Sequence, residues 1–174
     1  EYLTSKYTVV IKAEEVIDAN RCYSSLLGQV TKEVKYIYDH YQKFQMIWRD
    51  SEKRYIGSIY FVAYSDMERE HNMLVDTMYE CYDFSQDEFG ISDDIRNWFP
   101  IFYFPNGDAF CLDRRNMKIV FYDHEVYENG KDLHGIIIAS SINDLFEKWS
   151  KCYFVDVYDW SRYVDDNGLD LSLF

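Results

Sequence analysis

The stretch 101–112 constrains this chain more than any other. Two apolar, β-prone runs, residues 101–104 and 109–112, flank the connection Pro105-Asn106-Gly107-Asp108. Asn-Gly takes up the positive φ angles that a tight turn demands, so the two runs are predicted to pair antiparallel. Residues 118–122 then return along them after a turn at 113–116, and residues 59–64, entered through Gly57, supply an earlier strand. The run 135–139 holds three consecutive Ile and reads as a strand buried on both faces. Residues 2–12 fit either an extra strand or a lead-in to the fold.

Helical periodicity marks four other stretches. Val16, Ala19, Tyr23, Leu26 and Leu27 share one face, with Gly28 as the C-terminal stop. Val30, Val34, Ile37, Tyr41, Phe44 and Trp48 repeat at helical spacing, which predicts a long second helix. A third stripe, Met67, His71, Leu74, Val75, Met78 and Tyr82, follows Asp66, a good N-cap. A closing helix over 142–152 is predicted from Ile142, Leu145, Phe146, Trp149 and Cys152, opened by Ser140 or Ser141. The order is that of an α+β domain, helices packed against a mainly antiparallel sheet. The 174 residues, 48% of them apolar and 19% aromatic, suit one domain whose core needs no disulfide or metal staple.

Charge narrows the function. The formal net charge is −13, of which −1 falls on residues 1–75 and −12 on residues 76–174. An acidic surface of this kind disfavours nucleic acid and anionic membranes. No basic, apolar leader and no long apolar run is visible, and Cys22, Cys81, Cys111 and Cys152 are widely spaced, so a reduced, cytoplasmic protein is expected. That spacing holds no zinc motif, and neither a metal nor a cofactor is predicted. Among the histidines, His40 and His71 sit on helix faces. Asp123-His124 resembles a base with its orienting carboxylate, although neighbouring strand residues point to opposite faces. No nucleophile elbow, zincin helix or phosphate loop occurs, and no enzymatic activity is predicted. Asp165 to Asp170 lacks the ligand pattern of a calcium loop.

The acidic run is the strongest functional signal. Asp76, Glu80, Asp83, Asp87, Glu88, Asp93 and Asp94 follow one another with no Lys or Arg between them. Like charges held together cost self-repulsion, which a basic partner relieves. Tyr79, Tyr82, Phe84 and Phe89 are interleaved, as aromatic anchors are in protein interfaces. Asp83, Phe84, Asp87, Glu88, Phe89, Asp93 and Asp94 are therefore the predicted partner-binding residues.

The run Trp-Phe-Pro-Ile-Phe-Tyr-Phe-Pro-Asn-Gly-Asp-Ala-Phe-Cys-Leu-Asp, residues 98–113, resembles the centre of the SUKH superfamily. Lys-Ile-Val-Phe-Tyr-Asp-His-Glu from Lys118 and Ile-Ile-Ile-Ala-Ser-Ser-Ile-Asn-Asp-Leu-Phe-Glu-Lys-Trp from Ile136 continue the likeness. It is strongest over 98–150, and leaves 1–30 and 153–174 as unassigned extensions. The resemblance implies a sheet-and-helix domain without catalytic residues. It further implies an immunity protein that neutralises a polymorphic toxin, in some cases a nuclease, by direct association. Regulatory or scaffold modules like the fungal cell-wall-synthesis regulators are the alternative within the superfamily; a small-molecule binding domain is the alternative outside it.

Overall fold

A computed structural model describes residues 8–15, 23–81, 94–125, 133–151, 154, 164–165 and 168–169. Its centre is a seven-stranded antiparallel sheet whose spatial order follows the chain from end to end. The strands are β1 (Thr8–Glu15), β2 (Tyr41–Arg49), β3 (Tyr55–Phe61), β4 (Trp98–Tyr103), β5 (Ala109–Asp113), β6 (Ile119–Tyr122) and β7 (Ile137–Ala139). Three α-helices accompany it among the described residues: α1 (Lys32–His40), α2 (Met67–Cys81) and α3 (Ile142–Lys151). A two-residue ribbon, β8 (Val164–Asp165) with β9 (Gly168–Leu169), forms a separate ladder that lies against β7. The α+β architecture read from the sequence is the one observed.

The middle of the sheet is buried on both faces, and strict alternation explains how. On β5, Phe110 and Leu112 enter one core while Ala109 and Cys111 enter another; on β6, Ile119 and Phe121 divide from Val120 and Tyr122 in the same way. The larger core receives Leu145 and Trp149 from α3 and Val34 and Tyr38 from α1. The smaller lies beneath α2, whose Leu74 and Met78, one turn apart, meet Trp98, Cys111 and Val120. The helices thus cover opposite faces of the sheet.

Local chemistry accounts for the helix ends. The α1 N-cap is Thr31, extended at φ −71° and ψ 160°, and its hydroxyl accepts from the Val34 N–H at 3.4 Å. At α3 the Asp144 N–H donates to Ser141 Oγ at 3.1 Å, while the Asp144 carboxylate accepts from Ser140 N and Oγ, both at 2.8 Å. This reciprocal pairing resolves the choice of cap in favour of Ser141.

The long second helix predicted across residues 30–48 is corrected. Helix α1 ends at His40, and Tyr41, at φ −121° and ψ 123°, begins β2 without a loop. Phe44, Met46 and Trp48 face the core at a period of two, and β2 is hydrogen-bonded on both sides, to β1 and β3. Tyr41, Phe44 and Trp48 also match a helical stripe, so periodicity alone could not separate the two readings. Sheet pairing decided it. Residues 2–12 resolve in part as strand β1, the sheet edge. Of the predicted first helix, 16–22 lie outside the described residues; Tyr23–Ser25 form a single 3-10 turn, and Gly28 at φ +70° ends the segment. Strand β7 is shorter than predicted, and Ile137 is 43% exposed, so it is not buried on both faces.

Candidate functional site

The outer side of α2 is the described part of the acidic face. Leu74 and Met78 turn inward, which leaves Asp76 and Glu80 exposed one turn apart, with Met73 56% and Tyr79 39% exposed beside them. Asp94 is the one predicted partner-binding residue within the described set; Asp83, Phe84, Asp87, Glu88, Phe89 and Asp93 lie outside it. The Asp94 carboxylate is held by Arg115, Nη1 to Oδ1 at 2.7 Å, and the same guanidinium forks onto Asp113, Nη2 to Oδ2 at 2.6 Å. Arg96 donates a hydrogen bond to the Tyr79 hydroxyl and sits 5.7 Å from the ring centroid. Two arginines from outside the acidic run therefore reach into it. Sequence counting along 76–94 misses both, because Arg96 follows the run and Arg115 arrives through the β5–β6 turn.

A second cluster forms where the β4–β5 turn meets the end of β6. Gly107 adopts φ +101°, and its N–H donates to Phe104 O at 3.1 Å, closing the turn. Asn106 keeps a negative φ, so only the glycine supplies the positive angle predicted for the pair. The Asp108 carboxylate reaches out of its own turn: its Oδ1 accepts from the His124 backbone N–H at 3.1 Å and pairs with His124 Nδ1 at 2.8 Å, while the Asn106 amide donates to Oδ2. The carboxylate that orients His124 is thus Asp108, brought beside it by the Ala109↔Tyr122 register, rather than its neighbour Asp123. Asp123 turns its own Oδ1 to the Glu125 N–H at 2.9 Å. Asp108 and Asp123 are 4% and 8% exposed, and donor atoms of Asp108, Asp123 and His124 all lie within 4.8 Å of one another.

A groove of about 350 Å³ runs from α2 to this cluster, lined by Glu70, Thr77, Tyr103, Gly107, Tyr122 and His124. Burial drives the Tyr103 phenol far above its usual pKa, with Cys111, Glu70 and Tyr122 adding to it, so its hydroxyl stays protonated and reaches Glu70 O at 3.5 Å. His124 is oriented as a base would be, yet its Nε2 faces Glu125 Oε1 at 3.5 Å rather than a hydroxyl or thiol. Cys111 is fully buried with its thiol pKa pushed well up by desolvation, which makes it inert as a nucleophile. Elsewhere His40 stacks on Tyr36 at the surface, and His71 stacks on Phe99 with Nδ1 2.7 Å from Trp98 O. Both are structural.

A more apolar cavity of about 480 Å³ opens on the other side of the sheet, among Tyr36, Tyr41, Phe44, Phe102, Asn143 and Phe146. Its volume is that of a small-ligand site, with aromatic walls and one amide side chain. Among the described residues no helix is long and apolar enough to cross a membrane. No protein-family model, curated protein or solved structure matches the chain.

Proposed function

We infer that the chain is a non-enzymatic, cytoplasmic binding protein of the SUKH immunity type, which neutralises a basic toxin domain by direct association. The observation that carries this reading is the outer side of α2. Exposed Met73 and Tyr79 stand beside the unburied carboxylates of Asp76 and Glu80, contact area next to charge. The acidic run continues from that helix into Asp83, Asp87, Glu88 and Asp93. Carboxylates presented this way match the Lys and Arg that a nuclease uses to hold phosphate, and occupying them blocks the substrate. The resemblance over 98–150 and the α+β architecture agree with the reading. The test is co-expression of the chain with the product of the neighbouring gene. Co-purification together with rescue of growth supports immunity, whereas a toxic product that neither binds nor is relieved overturns it.

A small-molecule binding domain is the second reading, favoured by the 480 Å³ aromatic cavity. It predicts saturable quenching of tyrosine and tryptophan fluorescence by flat aromatic ligands, reduced by Phe146→Asp.

A further inference from the structure

We propose that Asp108, Asp123 and His124 form a binding site for a divalent transition-metal ion. One imidazole nitrogen and two carboxylate oxygens converge within 4.8 Å of one another, a mixed set without sulfur. Such a set suits zinc, cobalt or manganese better than calcium, which takes six or more oxygens. Both carboxylates are more than nine-tenths buried, where two negative charges this close repel strongly. The ion-pair partner of Asp108 is an imidazole, with a further carboxylate, Glu125, on its far side. A cation at the centre turns that repulsion into attraction.

At the His124–Asp108 pair the geometry needs little change, and the Asp123 carboxylate closes in from within 4.8 Å. His124 Nδ1 and Asp108 Oδ1 are 2.8 Å apart, the distance of a shared proton. Two ligands at about 2.1 Å from one ion are about 3.4 Å apart in a tetrahedral site and about 3.0 Å apart at right angles. The ion therefore takes the place of the hydrogen between these two atoms with a shift of roughly half an ångström or less, and the neutral imidazole carries its proton on Nε2 instead. The opposite ring nitrogen, Nε2, is 3.5 Å from Glu125 Oε1. A carboxylate behind a ligating histidine fixes its tautomer and raises its basicity, the usual support for such a ligand. The Asn106 amide anchors the other oxygen of Asp108. The 350 Å³ groove is lined by His124 and Gly107 and brings solvent to the histidine side of the cluster. No sequence motif marks the site because its ligands come from two turns, joined only by the register of β5 with β6. The inference is independent of the binding function proposed above.

Cobalt(II) titration of the full, reduced chain tests it. One equivalent should bind, giving visible d–d bands without the intense near-ultraviolet absorption of thiolate ligation, and should raise the melting temperature. His124→Gln and Asp123→Asn should each weaken binding by more than tenfold, and Glu125→Gln by about tenfold. Absence of saturable binding, thiolate bands, or an affinity unchanged in His124→Gln overturns the site. If the buried variants fail to melt cooperatively, Glu125→Gln decides, since that side chain is about half exposed; an unchanged affinity there overturns the proposal too.

Discussion

The indole of Trp149 stands edge-on to the ring of Phe110, with centroids 5.0 Å apart and planes at 82°. Phe102, Phe104 and Phe154 meet the same indole at 5.5 to 5.9 Å, all edge-on. This fully buried side chain is the largest of those that hold the closing helix to the sheet, beside Ile142 and Leu145. Trp149→Ala should cost about 3 to 5 kcal/mol, as large aromatics deleted from cores do. Urea unfolding of the two proteins measures it; a loss below about 1 kcal/mol would mean that α3 does not depend on this contact.

Stability should begin to fall at mildly acid pH. Burial chiefly holds the His71 imidazole below its ordinary pKa of 6.5, helped by the Arg114 charge and opposed by the hydrogen bond with Trp98 O. A histidine kept neutral in the folded state stabilises above its unfolded pKa, and that contribution is lost as pH falls through the folded value. The urea midpoint should therefore decline from about pH 6.5 downward, and His71→Gln should flatten that slope. An identical slope in the variant assigns the effect to another group.

A second, more acid loss belongs to Asp113. Burial alone raises its pKa, but side-chain and backbone hydrogen bonds from Arg115 outweigh this and leave the carboxyl below its usual 3.8. A depressed carboxyl contributes stability above the unfolded pKa, lost as pH falls through the folded one. Arg115→Met removes the guanidinium that holds both Asp113 and Asp94. It should lower stability at pH 7 by about 1 to 3 kcal/mol, the usual effect of stripping a partner from a buried acceptor. That deficit should narrow as pH falls from about 4 towards 2, because the variant has no depressed Asp113 carboxyl to lose. Urea unfolding followed by circular dichroism across pH 2 to 7 compares the two proteins, and a deficit that stays constant over that range would exclude this linkage.

Recognition of a basic partner should be steered by charge. Neutral protein pairs associate at about 10⁵ to 10⁶ M⁻¹s⁻¹, steered ones at 10⁸ or more in low salt. A Debye length of about 8 Å at physiological ionic strength removes much of that advantage. Reversing Asp76, Glu80, Asp83, Asp87 and Glu88 should slow association and leave folding intact. Asp94 is left out of this set because its reversal breaks the 2.7 Å pair with Arg115. Stopped-flow mixing with the co-purifying partner over a salt series reads the result. Equal on-rates at every salt concentration would make the run a solvated surface only.

How much of this was legible in the sequence depended on where the deciding forces lie. The β4–β5 hairpin and α3 follow from local signals, the Gly107 turn and the Leu145/Trp149 stripe, and both are present, although β4 starts at Trp98, three residues before the predicted run. The join of α1 to β2 was hidden, because Tyr41 carries no glycine or proline to mark the change and only pairing with β1 and β3 selects the strand. The Asp108–His124 pair was invisible for a related reason. Asp123 adjoins His124 in sequence, but strand register delivers a carboxylate from the preceding turn instead. Arg115 carries no motif in the sequence, and its role as the clamp on Asp94 and Asp113 required the fold.

The pairing of β3 with β4 has a consequence for how such a protein diversifies. These neighbouring strands share just the positions Tyr60↔Tyr103 and Phe61↔Phe102, extended by the Val62 N–H to Ile101 O bond at 3.0 Å. Between them the chain leaves the sheet after β3 and rejoins it at β4, so this short seam joins β1–β3 to β4–β7. Leu74 and Met78 are fixed by the core beneath α2, but its exposed positions Asp76, Tyr79 and Glu80 can be exchanged while the hydrogen-bond ladders on either side keep their register. Surface chemistry on this excursion can then vary without re-evolving the scaffold that carries it.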